Sequence, residues 1–175
     1  MKQNIPFFLY LAVVFFTLNS CSTTSDDAAN PIFNDSYTAS SYGSQVLLRI
    51  NSDVFETINT NRLNRINTGD SFKINSAKRI NDILEVSISY SGGCKQHSFE
   101  VIWDGIVYTD PPCYLNLFII HDAKNDDCEA LITETLSINL EELIGDNAYK
   151  DSCAYNIFTS YNSTSTADVT VESSN

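Results

Sequence analysis

The sequence predicts an all-β protein, an antiparallel β-sandwich with one or two short helices. From Gln45 onward, apolar residues recur at every second position in run after run, the period of a strand buried on one face. The runs are separated by short stretches rich in Asn, Asp, Gly and Pro, the residues that turns require. Only Val54 to Ile66 and Leu140 to Ile144 could be helical, and the first is so rich in Asn and Thr that helix propensity argues against it. Short strands joined by turns, with no internal repeat, imply an Ig-like or related sandwich.

The strands follow in order. Val46, Leu48 and Ile50 open the domain, and Phe72 and Ile74 begin the next run. Asn81-Asp82 is a tight-turn signal before a run in which Leu84, Val86, Ile88 and Tyr90 share one face. "HSFEVIW" puts His97, Phe99, Val101 and Trp103 on one face, and "YLNLFIIH" does the same for Leu115, Leu117, Ile119 and His121. Asp104-Gly105 is a hairpin signal, but a returning strand at Ile106 to Tyr108 would leave three cysteines at one end of the sandwich and one at the other. Ile106 to Pro112 is therefore a connection. "CEALITETLSINL" carries Ala130, Ile132, Leu136 and Ile138 with polar residues between them, and "AYNIFTSY" and "ADVTV" close the chain.

Strand direction orders the cysteines. If the strands beginning near Gln96, Tyr114, Cys128 and Ala154 alternate, Cys94 and Cys128 start at one pole and Cys113 and Cys153 at the other. A disulfide needs α-carbons within about 7 Å, so the expected pairs are Cys94 with Cys128 and Cys113 with Cys153. The first pole also receives His97 and His121, which makes a site of Cys94, His97, His121 and Cys128 conceivable for zinc. Zinc needs reduced, deprotonated thiols, so in an oxidising compartment the disulfide is expected and no metal. Asp122, Asn125, Asp126, Asp127 and Glu129 supply oxygen ligands for calcium, but without EF-hand spacing; an acidic turn is the expected role. Gly92-Gly93 fits a sharp entry into the strand that follows.

The N-terminus gives an address. Residues 1–20 have one lysine and an apolar run from Ile5 to Leu18, the layout of a secretory signal and short for a membrane span. Leu18-Asn19-Ser20-Cys21 resembles the lipobox of bacterial lipoproteins. The resemblance implies cleavage before Cys21 and its acylation by palmitate-class chains, so that the membrane is a partner through the N-terminal lipid. Ser22, rather than Asp, after the cysteine looks like an outer-membrane sorting pattern, and "SDD" at Ser25 to Asp27 is similar to short surface-export signals. The expected location is the outer membrane, on its periplasmic or cell-surface face. Residues 21–44, polar and without periodicity, read as the lipid anchor and a flexible tether, and 45–175 as the sandwich domain.

Composition excludes some functions. Loss of residues 1–20 removes Lys2, leaving 9 basic against 22 acidic side chains, a net charge of -13. Such a chain will not bind nucleic acid through its phosphates. The charge is lopsided: Phe99 to Asn175 carries 2 basic and 14 acidic side chains. There is no Gly-x-Ser-x-Gly, no phosphate-cradling glycine loop and no His-Glu-x-x-His, so no catalytic residues and no cofactor are assigned.

Together, "SYSGGCKQHSFEVIW", "LNLFIIHDAKNDDCEALI" and "LSINLEEL" resemble a group of outer-membrane and surface lipoproteins of Bacteroidetes-type bacteria; NigD-like sandwich lipoproteins are a looser likeness. The resemblance implies a β-rich envelope lipoprotein and carries over no activity. The expectation is a non-enzymatic binding or envelope module whose partner is a protein or a glycan. The alternatives are an extracytoplasmic metal-binding module and, third, a hydrolase.

Overall fold

A computed structural model describes residues 35–145, 148–161 and 165–173. The signal peptide, Cys21 and the first part of the expected tether lie outside these residues. Among the described residues, no helix is long and apolar enough to cross a membrane. Nine strands among the described residues form two sheets. In chain order they are β1 (Ser36–Ala39), β2 (Gln45–Ile50), β3 (Lys73–Ile80), β4 (Ile83–Gly92), β5 (Ser98–Trp103), β6 (Tyr114–Asp122), β7 (Ala130–Asn139), β8 (Ala154–Thr159) and β9 (Val169–Val171). The helices are α1 (Ser52–Leu63), α2 (Leu140–Ile144) and α3 (Tyr149–Ser152).

The large sheet has the order β1-β2-β5-β6-β8-β9 and the small one β3-β4-β7. Alternating residues of the two sheets interdigitate. Val46, Leu48, Phe99, Val101, Leu115, Leu117, Ile119 and Ile157 meet Leu84, Val86, Ile88, Leu136 and Ile138, all buried. This is an all-β sandwich with a few short helices, but the large sheet is mixed rather than antiparallel. The pairs β2 with β5 and β6 with β8 are parallel. In each case the chain leaves for the small sheet and returns, and a strand that comes back after that detour runs beside its predecessor in the same direction.

Two expectations are corrected. Residues 36–44, read as tether, are folded: β1 pairs with β2 in register from Ser36↔Leu48 to Ala39↔Gln45. The turn that follows binds the opposite sheet, where Ser41 N–H donates to Thr135 O at 2.9 Å and Thr135 N–H to Ser41 Oγ at 2.7 Å. The segment against which propensity argued is helical: Asn51 caps α1, its side chain accepting from Val54 N–H at 2.9 Å. Packing overrides propensity, because Phe55 and Ile58 of α1 cover Ile102, Phe118 and Phe158 on the outer face of the large sheet. That cover also explains why β5 and β6 break the alternation with buried Ile102 and Phe118.

Asn81-Asp82 turns β3 into β4, with Asn81 at φ 53° and Ile80 paired with Ile83. Ile106 to Pro112 is a connection that pairs with the sheet at the bridge of Tyr108 with Tyr114, while Ile106 O accepts from Trp103 Nε1–H and Val107 packs on the core. Asn139 ends β7 and caps α2, its side chain accepting from Glu141 and Glu142 N–H. Leu140, Leu143 and Ile144 then close that end of the core.

Candidate functional site

The side chains with chemical potential gather at one pole, where β4 ends, β5 begins, β6 ends and β7 begins. The loop at Gly92 to Gln96 crosses the loop at Ala123 to Glu129, and Asp126 holds the two together. Its Oδ2 accepts from the N–H groups of Gly93, Cys94 and Lys95, each at 2.9 Å, and its Oδ1 from Cys128 N–H at 3.0 Å. The Cys128 N–H, and after it those of Lys95 and Cys94, push the Asp126 carboxyl far below its ordinary value. Beneath it lies His97, with Nε2 at 3.2 Å from Asp126 Oδ2; both side chains are buried.

The glycines ahead of this loop have separate reasons. Gly93 sits at φ 113°. A Cβ on Gly92 would come within 2.6 Å of the His97 ring, so that residue is there for space.

His97 Nδ1 lies 2.8 Å from His121 Nε2. Because Asp126 is ionised, His97 Nε2–H must donate to it. In a neutral pair, His97 Nδ1 then accepts from His121 Nε2–H. That assignment leaves His121 Nδ1 buried and without a hydrogen-bond partner. Burial, and then His97, lower the His121 pKa, which keeps the ring neutral. Rings pack around the pair: Tyr90 stacks on His97 at 4.5 Å between centroids, and Phe99 on His121 at 4.7 Å and 8°.

Tyr90 connects this pair to a second polar centre. Its hydroxyl donates to Glu134 Oε1 at 2.6 Å; Ser44 Oγ donates to the same oxygen at 3.0 Å, and Ser40 Oγ donates to Oε2. Glu134 is only 2% exposed. Burial, followed by the hydrogen bond to Glu134, drives the Tyr90 phenol well above its usual range. The carboxylate therefore ties the turn after β1 to both β4 and β7. Sequence reasoning missed Glu134, although a signal was present: it occupies an inward position in the series Ile132, Glu134, Leu136, Ile138.

The expected site residues fall into two sets. Cys94 is bonded to Cys128, with α-carbons 5.9 Å apart, and Cys113 to Cys153, at 4.9 Å. The zinc alternative loses its thiolates to the first bond. Among the described residues, the metal-competent atoms within mutual reach are those of Cys94, Asp126 and Cys128, with neither histidine. The calcium alternative is also redirected. Asp122 pairs with Lys124, Lys124 and Asn125 form a turn at φ 54°, and Asp126 is saturated by N–H donors.

No family model matches this sequence, and no curated protein matches it. Among solved structures, the chain is similar to a toxin-related protein from Parabacteroides distasonis, at 17% identity, covering 74% of this chain and 71% of that one with a TM-score of 0.41. It is also similar to a NigD-like immunity protein from Bacteroides caccae, at 16% identity over 73% of this chain and 62% of that one, again with a TM-score of 0.41.

Proposed function

We propose that the protein is a lipid-anchored, non-enzymatic binding module of the bacterial outer membrane. The observation that supports this most directly is the use the fold makes of its reactive side chains. His97, His121, Tyr90, Glu134 and Asp126 are spent on one another and on backbone N–H groups inside a closed pole, and the four cysteines of the domain are bonded in pairs. General acid–base catalysis needs a titratable group within reach of a substrate proton. Here burial and internal hydrogen bonds take up these groups, which leaves the outer faces of the sheets as the working surface. The lipobox-like Leu18 to Cys21 supports the anchor, since acyl chains on Cys21 would hold the domain at a bilayer without a spanning helix.

The test is the fate of Cys21. Cys21→Ala should abolish acylation, measured by intact mass, and move the protein out of the membrane fraction. A variant that stays membrane-bound with the parent's mass would overturn the anchor.

A further inference from the structure

The outer face of the large sheet is divided. α1 covers the part over Ile102, Phe118 and Phe158. Beside it, over β6, β8 and β9, lies a groove between α1 and the segment at Ser165 to Ala167. Two adjoining concavities of about 260 and 440 Å³ make it up, and they share Asn116, Phe158 and Ser165. The larger one falls within the range of roughly 300–1,000 Å³ typical of small-ligand sites.

The floor is a ladder of hydrogen bonds running across the strands. Thr170 Oγ1 lies 2.8 Å from Asn156 Oδ1 and Asn156 Nδ2 lies 3.2 Å from Asn116 Oδ1, with Tyr108 beside Asn116 in the groove wall. Tyr108 in turn donates to Asp104 Oδ2 at 3.0 Å. The Tyr108 hydroxyl is fixed at the buried side of the groove. Burial and Asp104 push the Tyr108 phenol up to about 12, so it keeps its proton and donates it to the carboxylate. The Asn116 carbonyl accepts from the Asn156 amide, whose own carbonyl accepts from Thr170. Each amide has spent its oxygen, and Asn156 one of its two N–H bonds, so both amides keep N–H donors for the groove. Tyr114, stacked on Tyr108 at 5.0 Å and 7°, adds apolar ring surface beside that of Tyr108.

A ligand for this floor must offer oxygen acceptors and an apolar face, with no negative charge to oppose a chain of net charge -12. We propose that the groove binds a neutral saccharide, whose hydroxyl and ring oxygens meet the Asn116 and Asn156 amides while its C–H face lies against the aromatic rings. This names a ligand class for the binding module proposed above and rests on that reading.

Calorimetry on the full-length protein with cellotetraose, maltotetraose, mannotetraose and, as the charged control, tetragalacturonate tests it. At least one neutral oligosaccharide should bind and tetragalacturonate should not. Asn156→Leu should weaken that binding about tenfold or more, with the thermal midpoint held within about 3 °C. Thr170→Val, which removes only the exposed end of the ladder, should weaken it less. Tyr37→Ala, in a separate groove over β1, β2 and β5, should leave it unchanged. Failure of all three neutral oligosaccharides, equal binding of the uronate, or undiminished binding by both ladder variants would overturn the proposal. Each of these outcomes leaves the Cys21 result untouched.

Discussion

Glu134 shows at the scale of one residue how a buried charge can be more structural than reactive. Its carboxylate accepts from three hydroxyls that belong to the turn after β1 and to β4, so removing it strands all three at once. Glu134→Ala should therefore destabilise the domain by about 3 kcal/mol or more, read from urea unfolding. Tyr90→Phe, which removes one donor and keeps the ring on His97, should cost about 1 kcal/mol. Equal costs for the two variants would mean that the carboxylate is not the hub. The alternation of β7 already placed Glu134 on the inward face, yet the hydroxyls that justify it come from positions 44, 90 and 94 residues away. Sequence spacing carries no mark of that.

Among the elements, β1 and α1 are where local composition misleads. Residues 36–44 are as polar as the segment before them, and α1 is rich in residues that lower helix propensity. Both are held by what they meet: β1 by its ladder with β2 and by the hydrogen bonds of Ser40, Ser41 and Ser44 to β7; α1 by an apolar patch made from three strands. A truncation series separates a tether from a strand. Starting the chain at residue 35 should leave the unfolding midpoint close to that of the domain with its leader removed, whereas starting at residue 45 should lower it by several degrees, because Glu134 loses both serine donors. If the two truncations melt alike, β1 contributes no stability. The strands from β4 to β7 behaved differently. Their faces were legible because a two-residue period leaves one solution for a strand between a core and solvent.

At the scale of the whole molecule, the two disulfides pin the two ends of the sandwich. Cys94–Cys128 closes a separation of 34 residues over the histidine pole, and Cys113–Cys153 one of 40 residues beside the parallel pair β6 and β8. Each should contribute about 3–4 kcal/mol by restricting the unfolded chain. Non-reducing peptide mapping should return these two linkages, and replacing either pair with serine should lower the thermal midpoint. A Cys94–Cys113 or Cys94–Cys153 peptide would contradict the strand directions of the fold.

The sequence by itself determined the class of fold, the inward faces of β4 to β7, the two turns at Asn81-Asp82 and Ala123 to Glu129, and the pole at which His97 and His121 sit. All of these follow from local rules: side-chain period, turn chemistry, and the direction a chain must take after a reversal. Tertiary structure decided what lies between distant segments. It made the large sheet mixed, because β2 and β6 are rejoined only after the chain has visited the other sheet. It drew the turn after β1 onto Glu134, gave Asp126 its backbone donors, and aligned Thr170, Asn156 and Asn116 into one ladder. Such contacts depend on which strands become neighbours, and that is settled by packing the whole core rather than by any window of sequence.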